Sequence, residues 1–142
     1  MLVSACLLGI SCRYDKQSKT SQEVLNLDIF HVPVCPEQLG GLPTPRPSAQ
    51  FTGGDGRDVL RGRARVIDAQ GKDVTALFVE GARQTLEIAR ITGARWAVLK
   101  DDSPSCGTHY VWIDGRKAPG MGVAAALLSE SGVTVMNEEG LL

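Results

Sequence analysis

Apolar residues fall into short runs separated by polar loops. Leu2–Ala5 is an apolar run that stops at Cys6, and a polar loop with Arg13, Tyr14 and Asp15 follows. Thr20 opens a T-x-x-E capping box with Glu23, which predicts a helix over Ser21–Ile29. His31–Val34 reads as a strand ending at Cys35-Pro36, where the proline cannot continue a ladder. Pro36–Gly56, rich in Gly and Pro, is expected to be a long functional loop. Val59–Ile67 alternates, with Leu60, Gly62, Ala64 and Val66 on one face and Arg61, Arg63 and Arg65 on the other, so it predicts a half-buried strand. After a turn at Asp68–Asp73, Val74, Leu77, Phe78, Ala82, Leu86 and Ala89 recur at helical spacing, with Asp73 as expected N-cap and Gly93 as the closing residue. Trp96–Leu99 is a buried strand ending at Lys100; a loop carrying Ser103–Gly107, then Tyr110–Ile113 and the turn Asp114-Gly115, follow, Gly122–Leu128 is a small-residue helix ended by Gly132, and Val133–Met136 is a last strand.

Strands alternating with helices predict an α/β fold: a single Rossmann-like domain over residues 1–142, its mainly parallel sheet covered by helices on both faces. The length of 142 residues suits one core, and 43% apolar with 22% charged residues is globular composition. A net charge of −1 argues against bulk nucleic-acid binding. No apolar stretch approaches the ~20 residues that span a bilayer, so no membrane partner is expected. With no signal-like start, the expected location is cytoplasmic and the four cysteines are reduced thiols, suited to metals or chemistry.

In a parallel sheet, ligands bind outside the carboxyl ends of the strands. Cys6, Cys35 and Cys106 each follow a predicted strand, so neighbouring strands would bring the three thiols to one rim. A shared metal or iron–sulfur site competes with the ordinary role of cysteine as a small buried hydrophobe. Zinc would want four closed ligands or a C-x-x-C pair, and the sequence has no such pair. Cys12, in a polar loop six residues after Cys6, reads as a loop thiol. Glu37, in C-P-E, is a candidate general acid/base, against the default of a solvated glutamate. Ser103 and Ser105, in S-P-S-C-G, either bond the local backbone or move a proton. The arginines of residues 61–65 read as a solvated face, and His31 and His109 as structural.

Four motifs resemble the bacterial thiouracil desulfidase family, formerly a domain of unknown function. They are C-L-L-G-x-x-C-R-Y-D (Cys6–Asp15), V-P-V-C-P-E-Q-L-G-G-L-P-T-P-R (Val32–Arg46), L-K-x-x-S-P-S-C-G (Leu99–Gly107) and G-V-A-A-A-L-L (Gly122–Leu128). The resemblance implies a 4Fe–4S cluster held through Cys6, Cys35 and Cys106 only. Its fourth iron stays open and binds the sulfur of a thiolated nucleobase or nucleoside, which is desulfurised hydrolytically without net redox change. It also implies Glu37 and Ser103 as catalytic residues; Asp101 and Asp102 stand close by as reserve bases. One departure is visible: where the family more usually has Pro-Ala-Glu, this chain has Ser48-Ala49-Gln50.

Two other classes compete. A non-catalytic iron–sulfur or metal-binding module would use the same cysteines for sulfur sensing or delivery but has no use for Glu37. A nucleotide-binding domain with inert cysteines lacks its fingerprint, because no G-x-G-x-x-G follows the first strand.

Overall fold

In the computed structural model, which describes residues 1–141, the N-terminal apolar run is the centre of a parallel sheet. Strand β1 (Leu2–Ser4) pairs on one side with β2 (Val32–Val34) and on the other with β5 (Trp96–Val98), and β5 pairs in turn with β8 (Thr134–Met136). All these pairings are parallel, in the order β2-β1-β5-β8. The chain therefore winds from β1 to one side and later to the other, which creates a switch point beside β1.

Alternation along β1 sets its two faces. Leu2 packs with Ala97-side residues and with Leu86, Ala89, Ala125 and Leu128, which come from helices α4 (Thr75–Thr92) and α5 (Val123–Glu130). Val3 faces the other way, against Val24 of the short helix α1 (Gln22–Leu25) and Leu7 of the 3₁₀ turn Ala5–Leu8. The mainly parallel sheet with helical cover on both faces is as the sequence predicts.

A second sheet is a feature the alternation did not foretell. Its order is β4-β3-β6-β7, built from β3 (Ala49–Thr52), β4 (Arg65–Asp68), β6 (Tyr110–Ile113) and β7 (Arg116–Pro119). Phe51, Val66 and Val111 on its inner face pack on Phe78 and Ala82 of α4 and on Val123 and Ala124 of α5. The same two helices thus serve both sheets: their other residues cover the first one.

Several predicted boundaries move, each for a local reason. Val59–Ile67 is not one strand, because Gly56–Leu60 is a helix, α3. Its N-cap Asp55 accepts from the amides of Arg57 and Asp58, and Asp58 returns a bond to Asp55, forming a capping box inside what reads as strand alternation. The chain then turns at Gly62, where φ is +75°, and only Arg65–Asp68 is extended. The 36–56 segment is likewise not one loop; it holds helix α2 (Pro36–Leu39) and strand β3. Ser21, not Thr20, caps α1, accepting from the Val24 amide at 3.4 Å, and the helix stops at Leu25. Val74 rather than Asp73 is the N-cap of α4; Asp73, one residue earlier, accepts from the Thr75 amide and hydroxyl, and Gly93 ends α4 in the left-handed region at φ +69°.

Helices α2 and α4 meet backbone to backbone. A Cβ on Gly81 would overlap the Pro36 carbonyl, and one on Gly40 the Leu77 carbonyl. This contact fixes α2, which begins at Cys35. In an open helix, Gly→Ala would add about 1 kcal/mol of stability. For Gly81→Ala the opposite sign is expected, a loss of roughly 1–3 kcal/mol from overpacking, read by denaturant unfolding. A variant more stable than the parent would show that the two backbones are not in contact.

Candidate active site

Beyond the carboxyl ends of β2, β1 and β5 lies a cavity of about 690 Å³. One wall is made by segments that leave those strands, and it carries Cys6, Cys35, Cys106, Glu37, Ser103, Asp101 and Asp102. The residues that the resemblance marks, together with the two reserve bases, are therefore brought to one place, whereas Ser105 is buried outside the cavity lining. Because β2, β1 and β5 are adjacent, so are the three cysteine-bearing segments. The outer face of the second sheet supplies the opposite wall through Gln50, Ile67 and Trp112.

Each thiol is fixed by the chain around it. Cys6 sits in the 3₁₀ turn directly after β1, and its carbonyl accepts from the amides of Gly9 and Lys19. Cys35 is the N-cap of α2 with Pro36 at the first helical position, where a missing N–H does no harm. Cys106 lies in a loop stitched to the start of α5: the free amides of Val123 and Ala125 donate to the carbonyls of Pro104 and Ser105 at 2.8 and 3.1 Å. Gly122 permits this approach, since a Cβ there would strike the Ser105 carbonyl.

Cys12, set aside on sequence, lines the same cavity and is buried. Its side chain packs against those of both Cys6 and Cys35. Cys35 also donates to the Cys12 carbonyl at 3.7 Å. Only the fold could reveal this, because nothing in a polar loop marks a thiol that returns to the strand ends.

All four cysteines are free. The hydrogen bond with Cys12, then burial, pushes the Cys35 thiol up, and burial does the same to Cys106. For Cys12 the bond with Cys35 acts downward, but contact with Cys6 and burial outweigh it and raise the pKa to about 11. A nest of thiols this resistant to ionisation calls for a cationic group to become thiolate. Among the described residues no three His, Cys, Asp or Glu side chains converge as ligands of one metal ion. Cys6, Cys35 and Cys106 would hold a soft, multi-iron group, to which thiolate sulfurs are the matching ligands.

Arg46 holds the non-cysteine part of the site together. It is only 7% exposed. Its Nη1 donates to the Pro43 carbonyl and Thr44 Oγ1 at 3.2 and 3.0 Å, and its Nη2 to the Cys12 carbonyl and Glu37 Oε2 at 3.0 and 3.1 Å. One guanidinium thus anchors the Cys12 loop, the 43–46 turn and the Glu37 carboxylate. Among the described residues Glu37 Oε1 keeps no hydrogen-bond partner, which leaves it available as a proton acceptor. Sequence reasoning gave Arg46 no role, and the available signal was an arginine in a Gly/Pro-rich loop beside Glu37.

Ser103 Oγ accepts from the amides of Ser105 and Cys106 at 3.1 and 3.2 Å. The bond to the local backbone expected of this serine is thus present: its oxygen organises the cysteine loop. His31 and His109 do not line the cavity, in keeping with structural roles.

The whole-chain comparison now bears on this geometry. The family model for 2-thiouracil desulfurase matches residues 1–140. The chain belongs to the 2-thiouracil desulfurase family. Within it, Bacillus subtilis (strain 168) YbbK is 44% identical, over 99% of this chain and 97% of that protein. The solved structure of the 4Fe–4S-dependent thiouracil desulfidase TudS superposes with a TM-score of 0.85 at 39% identity, covering 99% of this chain and 91% of that one. Family membership and fold agree with the resemblance carried by the cysteine motifs.

Asp101, one of the two reserve bases, has both carboxylate oxygens already engaged. Its Oδ1 accepts from the amides of Asp102, Thr108, His109 and Tyr110 at 3.0–3.2 Å, and its Oδ2 from Asn137 at 3.1 Å. Burial alone would raise its pKa, but those bonds outweigh it and hold the carboxyl at about 2. Asp101 instead ties the end of β5 to the start of β6. Its folded pKa lies below the ordinary value of 3.8, so its stabilisation is full above about pH 4 and is lost as pH falls towards 2. Asp101→Asn should retain Oδ1 but set one amide nitrogen against that of Asn137. The expected cost is about 2 kcal/mol at pH 7, shrinking between pH 4 and 2 in denaturant titrations. A cost independent of pH over that window would contradict the ionised carboxylate.

Proposed function

We propose that this protein removes sulfur from a thiolated pyrimidine, a thiouracil-like base or nucleoside, by hydrolysis at a 4Fe–4S cluster bound through Cys6, Cys35 and Cys106. The observation that carries this reading is the convergence of three thiols from three adjacent strand ends on a cavity that also holds an anchored glutamate. Family membership supports it, as does the likeness to a 4Fe–4S-dependent thiouracil desulfidase. We take residues 1–142 as one domain, because α4 and α5 lend side chains to the cores of both sheets. Among the described residues no helix is long and apolar enough to cross a membrane, and a cytoplasmic location is part of the proposal.

The net reaction is C=S plus water to C=O plus hydrogen sulfide, with no electron gained or lost. A cluster bound here supplies an iron without a protein ligand, a soft Lewis acid that makes sulfur a better leaving group. Everything else falls to the chain. Glu37, with Oε2 clamped by Arg46, takes a proton from the attacking water. Arg46 fixes the carboxylate in one orientation, so proton transfer needs no search over rotamers. Ser103, its oxygen polarised by two amide donors, gives a hydrogen bond to the negative charge that develops on the ring. A pure iron–sulfur carrier would have no need of a clamped carboxylate in the same cavity.

Glu37→Gln keeps the shape and removes the base. Sulfide release should fall by ~10²–10⁴-fold with the iron content unchanged; normal turnover would remove Glu37 from the mechanism. The ligand set has its own test. Anaerobically prepared wild type and Cys12→Ala should each hold about four irons per chain, the content of one 4Fe–4S cluster, whereas Cys35→Ala should hold far fewer. Equal iron in all cysteine variants would overturn the assignment.

A further inference from the structure

The wall opposite the cysteines has no part in the chemistry above, yet it is built for recognition. Across the outer face of the second sheet, Gln50 pairs with Ile67 on β4, and Trp112 pairs with Lys117 on β7. Phe51 is in register with Ile113, so one step back along both strands Gln50 lies beside Trp112. Side chains one residue away point to the opposite face, and that inner face is filled by Phe51, Val66 and Val111. Gln50, Ile67 and Trp112 accordingly line the cavity.

Trp112 leaves 46% of its surface exposed there. Its cross-strand neighbour Lys117 does not cover it: that ammonium sits 5.5 Å from the Tyr110 ring centroid and pairs with Asp102 at 3.3 Å. Tyr14, the other aromatic lining the cavity, already has the Arg13 guanidinium 5.7 Å from its ring. The indole is therefore a free aromatic face inside a cavity that opens onto the thiols. Gln50 adds direction. Its Oε1 accepts from the Gly115 amide at 2.7 Å. An amide hydrogen can bond only to the oxygen, so this contact fixes which end of the side chain is which. Its Nε2 then has two hydrogens with no acceptor among the described residues.

We propose that this wall selects the substrate: Trp112 stacks on the planar heteroaromatic ring, and the Gln50 amide donates to an exocyclic oxygen on the ring's edge. The preferred substrate class is thus an oxo-bearing thiopyrimidine rather than a thiopyrimidine with no ring oxygen. The inference rests on the desulfidase reading for the identity of the ring.

The test uses cluster-loaded protein and two readouts. The chain has two tryptophans, and Trp96 does not line the cavity. Uracil should quench the indole fluorescence saturably in Trp96→Phe, where Trp112 is the sole indole, and leave it unchanged in Trp112→Phe. In sulfide release, Trp112→Ala should raise KM for 2-thiouracil roughly 5- to 150-fold, the range for loss of one stacking partner, with kcat little changed. Gln50→Leu should reduce the preference for 2-thiouracil over 2-mercaptopyrimidine, which lacks the ring oxygen, by roughly 2- to 12-fold. Uracil quenching that persists in Trp112→Phe, a Trp112→Ala KM within twofold of wild type, or an intact preference in Gln50→Leu would overturn the wall as described. Quenching confined to Trp112 without any sulfide release would support the wall and remove the desulfidase reading instead.

Discussion

Strand β1 can pair in parallel on both sides only because Leu2 and Val3 are each buried, one on either face of the sheet. That double pairing sets β2, β1 and β5 side by side, and every other feature of the site depends on it. Ser4, at the end of β1, accepts from the Lys100 amide at 2.9 Å, so the ends of β1 and β5 are also tied by a side chain. Cysteines that are 29 and 71 residues apart along the chain (35 − 6 and 106 − 35) become neighbours through backbone ladders alone. A parallel sheet is well suited to this, since all its strand ends open on the same edge.

Around that edge the protein has placed groups that stabilise one another's opposites. The thiols resist ionisation in their buried nest, and a soft cationic cluster would convert them to ligands. The Arg46 guanidinium is buried with four hydrogen bonds from its two Nη atoms, one of them to Glu37, while its Nε is buried without a partner among the described residues. Backbone amides on Asp101 hold its carboxyl below the usual carboxylate range. Four carboxylates line this cavity, and Glu37 and Asp101 differ in what donates to them, a guanidinium for one and backbone amides for the other. The second sheet closes the cavity with an aromatic face and an amide, which a cluster carrier would not require.

Much of this was legible in the sequence. The first-sheet strands, the long helix α4 and the three strand-end cysteines follow from apolar spacing and from where each run stops. The site motifs also carried the family resemblance that the whole-chain match supports. What stayed hidden was non-local. Residues 59–67 alternate like a strand, but Asp55 and Asp58 cap a helix there, and a capping box overrides a weak period. Strand β3 lay concealed in a segment whose Gly and Pro content signals a loop, because its partners β4 and β6 follow it in the chain. Cys12 and Arg46 escaped notice because their importance lies in contacts made across 23 and 34 residues.

The most direct test is isotopic. Cluster-loaded protein is given 2-thiouracil under strictly anaerobic conditions in oxygen-18 water, without added reductant or oxidant, and both products are quantified. The account expects uracil carrying one oxygen-18 atom, formed in equal amount with sulfide over many turnovers. Uracil without the label, or sulfide that stops after one turnover unless electrons are supplied, would contradict a hydrolytic desulfidase.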